Sequence, residues 1–121
     1  MHQGLRGVAA RTVAKDLLEQ VRIDRPDVVY EQYPHKISGG MGQRVMIAIV
    51  LAGEPDMLIA DEPTSALDAS VCASFVKLLD TLMVSRSMSL ILTSHDIDLV
   101  TGFCDRVLVM YGGQIMESCS A

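Results

Sequence analysis

The chain has 121 residues, enough for one domain or a piece of one. Half of them are hydrophobic and the mean hydropathy is +0.31, yet the longest unbroken apolar run, Val45 to Ala52, falls far short of the roughly 20 residues a membrane-spanning helix needs. A net charge of −5, a pI near 5.0 and the lack of any basic stripe argue against nucleic acid as a partner.

Met1 to Arg11 lacks the apolar centre of a signal peptide. Val13, Leu17, Leu18 and Val21 recur at helical spacing, which predicts an amphipathic helix over Thr12 to Arg22. Asp24-Arg25-Pro26-Asp27 breaks it, a short turn or helix follows around Val28 to Gln32, and Tyr33-Pro34 breaks the chain again. Ser38 stands where an N-cap belongs, ahead of a helix over Met41 to Ala52 whose apolar residues on nearly every side predict burial. Gly53-Glu54-Pro55 ends that helix and Met57 to Ala60 reads as a short buried strand.

Val71, Phe75, Leu78, Leu79 and Leu82 mark the next helix, capped by Asp68. Ser85-Arg86-Ser87 turns the chain into a strand over Ser89 to Thr93. Ile97 to Phe103 reads as a shorter helix. Arg106 to Tyr111 and Gln114 to Glu117 form a hairpin across Gly112-Gly113. Alternating strands and helices imply an α/β fold with a mainly parallel sheet. Cys72, Cys104 and Cys119 have no metal-ligand spacing, so reduced thiols in a cytosolic protein are expected.

Four short patterns carry chemistry. Asp61 and Glu62 end a buried strand, where open α/β sheets place ligands. One carboxylate there can hold Mg²⁺ through water and the next can polarise a water as general base, although two acids can also simply end a strand. Ser38-Gly39-Gly40 at a helix start exposes backbone N–H groups to an anion, and equally serves as an ordinary cap. His95, just past the second strand, can donate to a phosphate oxygen or be structural. Asp68 is explained as a helix cap.

Their order is more specific than any one of them. Ser38-Gly39-Gly40-Met41-Gly42-Gln43-Arg44 resembles the signature loop of ATP-binding-cassette (ABC) ATPases. Leu58 to Thr64 resembles their Walker B strand, Ser65-Ala66-Leu67-Asp68 their D-loop and Ser94-His95-Asp96 their switch histidine. The wording is most similar to ATPase subunits of bacterial oligopeptide, dipeptide and nickel importers, with Met41 at the fifth signature position and Tyr33-Pro34-His35 before it as marks of that branch. Ile37 departs mildly from the usual leucine or phenylalanine. No Gly-x-x-x-x-Gly-Lys-Ser/Thr loop occurs in the sequence.

The resemblance, which covers Ala9 to Glu117, implies a partial P-loop NTPase domain. Its helical signature segment would occupy residues 1–54, and its segment from Walker B to the switch histidine residues 55–121. It further implies ATP and Mg²⁺ as cofactors, with Asp61 serving the metal, Glu62 the general base and His95 the γ-phosphate sensor. Ser38, Gly39 and Gly40 would touch the γ-phosphate across a head-to-tail dimer with a second ABC ATPase subunit. Met41, Gln43 and Arg44 would shape the signature helix start, and Asp68 would link the two sites. Val13 to Tyr33 would carry the contact to transmembrane permease subunits, at the cytoplasmic face of the inner membrane. A Walker A-bearing N-terminal half is the further partner implied, and without one the 121 residues are expected not to hydrolyse ATP. Two other readings stand beside this one: a truncated or split product acting only through interaction, and a segment of a DNA-repair type ABC ATPase. The Walker A strand of the family lies between the switch-histidine strand and the strand after it. Those two strands are therefore expected to pair directly here or to recruit a second copy.

Overall fold

The computed structural model describes residues 7–65 and 67–120. Ala66, in the D-loop pattern, lies outside the described residues. Helix α1 (Val8–Gln20) starts one turn earlier than the apolar spacing predicts, because Ala9, Ala10 and Arg11 extend it without burying anything. It ends when Arg22 adopts a left-handed backbone (φ 58°), which drops Val21 and Ile23 into the core on either side. Helix α2 (Pro26–Tyr30) begins on proline at its first position, where the missing N–H costs nothing. A 3-10 turn over Pro34–Lys36 leads into α3 (Gly39–Leu51).

Strand β1 (Met57–Asp61) follows, then α4 (Ala69–Arg86), which continues past the expected turn. It closes where Ser87 turns left-handed (φ 51°) and Met88 N–H donates back to the Met83 carbonyl at 3.0 Å. Strand β2 (Ser89–Thr93), helix α5 (Ile97–Phe103) and the hairpin of β3 (Arg106–Tyr111) and β4 (Gln114–Ser120) complete the chain. Gly112 and Gly113 both hold positive φ in the hairpin turn, as its two-residue loop requires.

β1 and β2 pair in parallel, residue for residue from Met57↔Ser89 to Asp61↔Thr93. β3 and β4 pair antiparallel with a bulge between Val109 and Met110. The expected mainly parallel sheet is thus present as one parallel pair beside a separate antiparallel hairpin, and β2 does not pair with β3. Each keeps an unpaired edge among the described residues, so direct closure of that gap is not what the fold adopts.

The core gathers under α4, whose Leu78 and Leu79 are almost wholly excluded from solvent. Val21, Leu51, Phe75 and Leu58 pack into the same cluster. Elements from both sides of residue 54 therefore share one core. Leu58 and Leu90 look inward, whereas Met57, Ile59 and Ile91 on the opposite face of the pair are 49%, 67% and 47% exposed. Parallel strands usually have both faces covered. The expectation that α3 is buried all round also fails. Ile47, Ala48 and Leu51 face the core, but Met46 and Ile49 are exposed because no described element covers that side.

Candidate functional site

The predicted site residues fall into two groups. The first sits at the carboxyl ends of β1 and β2. Asp61 and Thr93 are register partners, and the Thr93 hydroxyl donates to Asp61 Oδ1. Asp61 Oδ2 has no hydrogen-bond partner among the described residues. Directly after the strand, Glu62 takes a left-handed backbone (φ 46°), a conformation that costs an L-residue about 1–2 kcal/mol. Its N–H is shared between the Thr93 carbonyl at 3.1 Å and the Thr93 hydroxyl at 3.3 Å, and its carbonyl accepts from Ser65 Oγ at 2.9 Å. These bonds hold the turn in place. The reversal sends the Glu62 carboxylate to His95, whose Nδ1 lies 3.0 and 3.1 Å from its two oxygens.

Neighbouring acids thus face different partners, one a threonine hydroxyl and the other an imidazole. A glutamate oriented by a histidine suits a base that takes a proton from water, and functional sites are where such backbone strain collects. Among the described residues no three His, Cys, Asp or Glu side chains gather closely enough to hold a metal by themselves. Asp61 still fits Mg²⁺, which commonly takes one or two protein carboxylates and completes its shell with water and phosphate oxygens.

The second group lies at the start of α3. Ser38 caps the helix by accepting from Met41 N–H at 3.3 Å. The Gly39 and Gly40 N–H groups have no acceptor among the described residues, as expected for first-turn amides open to an anion. The two glycines differ in use. Space beside Gly39 is open, but a methyl on Gly40 would meet Val71 Cγ1 at 3.0 Å. Gly40 therefore serves close packing on α4, and Gly39 is the better phosphate-facing position.

Met41 packs against the core. The Gln43 amide oxygen is buried with no hydrogen-bond partner among the described residues. Asp68 caps α4, accepting from Ser70 and Val71 N–H at 3.0 Å each and from Ser70 Oγ at 2.8 Å. The Val71 N–H, then the Ser70 hydroxyl, hold its carboxyl below the ordinary carboxylate range.

One contributor escapes sequence reasoning. Thr93 ties Asp61 to Glu62, and its only signal is a hydroxyl residue ending the strand before Ser94-His95. Arg44, expected at the signature helix start, turns inward and joins three helices: Nη1 donates to the Val21 carbonyl at 3.1 Å and Nη2 to Ser74 Oγ at 3.0 Å.

A family model described as ABC transporter matches residues 3–65. A Brucella melitensis protein bearing the name of a peptide import ATP-binding protein is 54% identical over 120 residues, spanning 98% of this chain and 36% of its own length. The chain thus spans about a third of that curated relative. Among solved structures, cbiO1 from Clostridium perfringens, part of the ABC transporter complex cbiONQ, superposes with a TM-score of 0.84 at 32% identity, covering 98% of this chain and 46% of that one. The ATP-binding cassette MJ0796, a dimer in a post-hydrolysis state with ADP and Pi, gives 0.81 at 27% identity, covering 98% and 50%.

Proposed function

Because this chain belongs to the ABC transporter family, we propose that it forms the part of an importer's ATP-binding subunit that runs from the signature loop to the switch histidine. In this reading, ATP hydrolysis drives uptake of a peptide, and the peptide-import name of the Brucella relative supports that cargo over nickel. Glu62 is the general base and His95 orients it and senses the γ-phosphate. Asp61, steadied by Thr93, serves Mg²⁺, which when bound neutralises charge between the β- and γ-phosphates. Ser38 and Gly39 offer the α3 helix start to the γ-phosphate of ATP held by a second ABC subunit, and Asp68 sets the D-loop between the two sites. The dimeric MJ0796 cassette with ADP and Pi supports pairing with a second subunit, which this reading takes as head to tail. Permease subunits would carry the assembly at the cytoplasmic face of the membrane. No helix among the described residues is long and apolar enough to cross a membrane itself.

One observation carries this reading: the Glu62 carboxylate lies against His95 Nδ1 at the ends of two parallel strands. It is tested by supplying a Walker A-bearing N-terminal half and measuring ATP-driven association and turnover. Both should appear, Ser38→Arg should abolish association, and Glu62→Gln should abolish turnover. Association that survives Ser38→Arg unchanged would overturn the signature assignment.

A further inference from the structure

Tyr33 and His35 stand just before the signature serine, and their rings stack with centroids 5.8 Å apart and planes 11° from parallel. Pro34 fixes the turn between them, since the 3-10 turn opens on it with Tyr33 in extended backbone. Neither ring is sunk in the core. Tyr33 is 72% exposed, and His35 is exposed as well. An ordered aromatic pair that buries so little area gains little from hydrophobic burial, but it presents an open π-face. Such faces are what nucleobases stack on, in a sequence-tolerant way.

The surroundings favour an anionic ligand. Residues 32–53 contain no Asp or Glu, although the chain has fifteen acidic residues. Arg44 in that stretch is turned inward onto Val21 and Ser74, which leaves the exposed Lys36 beside the stack as its outward charge. Ile37 anchors the segment against the core, and Ser38 follows it as the cap of α3. His35 and Ser38 are three residues apart, so their Cα atoms lie within about 11 Å of one another. That is a separation a nucleoside triphosphate can bridge with its base at one end and its phosphates at the other.

We propose that the outer face of Tyr33, backed by His35, stacks on the purine base of the nucleotide whose γ-phosphate sits at Ser38 and Gly39. This rests on the reading of Ser38 and Gly39 as a phosphate-facing helix start. The base would then be recognised from the signature side of the site as well as the phosphates.

The test is an NMR titration of the full chain with ATP, with inorganic tripolyphosphate and with adenosine. It follows the ring signals of Tyr33 and His35 and the amides of Ser38 to Gly40. ATP should move both sets, tripolyphosphate the amides alone and adenosine the rings alone. Tyr33→Ala should weaken ATP about fivefold or more, the effect of losing one stacked base. It should leave tripolyphosphate unchanged, and Tyr33→Phe should restore ATP. Amides that respond to ATP while the rings do not would overturn the base contact and leave the phosphate reading standing. Rings that respond without the amides would do the reverse. Silence at both positions would overturn both. Equal weakening of ATP and tripolyphosphate by Tyr33→Ala would reduce the stack to a support for the turn, and that too would overturn the proposal.

Discussion

Replacing Arg44 by alanine should cost the chain substantial stability, because its guanidinium is turned inward onto two other helices. Its guanidinium donates to the Val21 carbonyl at the end of α1 and to Ser74 on α4. Hydrogen bonds from a charged group contribute about 1.5–3 kcal/mol each. The two losses are unequal. Val21 has no solvent exposure, so its carbonyl would be stranded, whereas Ser74 Oγ keeps a bond to the Val71 carbonyl at 2.9 Å. The better helix propensity of alanine returns a few tenths of a kcal/mol at most. The net loss should be about 2–4 kcal/mol, a large share of the 5–15 kcal/mol that typically holds a domain together. Arg44→Lys should recover about half, because a single ammonium cannot span both acceptors with the planar fork. Urea unfolding followed by circular dichroism measures the shift in midpoint at constant m-value. A loss under about 0.5 kcal/mol, or full replacement by lysine, would refute the three-helix pin.

Four further outcomes are expected. Gly40→Ala should cost about 1–3 kcal/mol through its clash with Val71 and be largely rescued by Val71→Ala, while Gly39→Ala should be neutral or mildly stabilising; thermal melts of the single and double variants decide this. Asp68→Ala should destabilise at neutral pH, with the gap to wild type closing on acidification. The folded-state carboxyl is held below its ordinary value of 3.8, so its contribution is present above that value and lost as pH falls through the lower one. Glu62→Gly should leave stability equal or raise it by up to about 1 kcal/mol while removing turnover in the complemented cassette, as parallel melts and assays would reveal. Finally, the bare Met57, Ile59 and Ile91 face with the open β2 edge should drive concentration-dependent self-association. A monodisperse monomer on size exclusion, with the Leu90 to Leu92 amides unprotected against hydrogen exchange and the rest folded, would contradict it.

Local elements were legible because their signals are local. Ser38, Asp68 and Asp96 cap α3, α4 and α5 with the bonds that short polar residues before apolar runs announce. Strands β1 and β2 lie within a residue of their expected ranges. Helix ends were harder to read, since Ser85 and Arg86 continue α4 until left-handed Ser87 stops it, and nothing in their composition favours one outcome. The separation of β2 from β3 and the one-sided burial of α3 depend on which elements cover which faces, a property periodicity does not carry. At the site, the acid pair and His95 were recognisable as types. Their assembly through Thr93 and the reversal at Glu62 depends on backbone geometry that no motif spells out.

The left-handed turn at Glu62 bears on how this protein would respond to engineering. A stability-guided redesign would single out position 62 first, because glycine or asparagine occupies that backbone region more comfortably than glutamate. A library screened only for survival on heating would therefore drift toward losing the carboxylate that faces His95. The improved variants would melt later, express well and do nothing. Any such campaign should fix residue 62 at the outset and seek its gains elsewhere, in the exposed apolar positions of β1, β2 and α3.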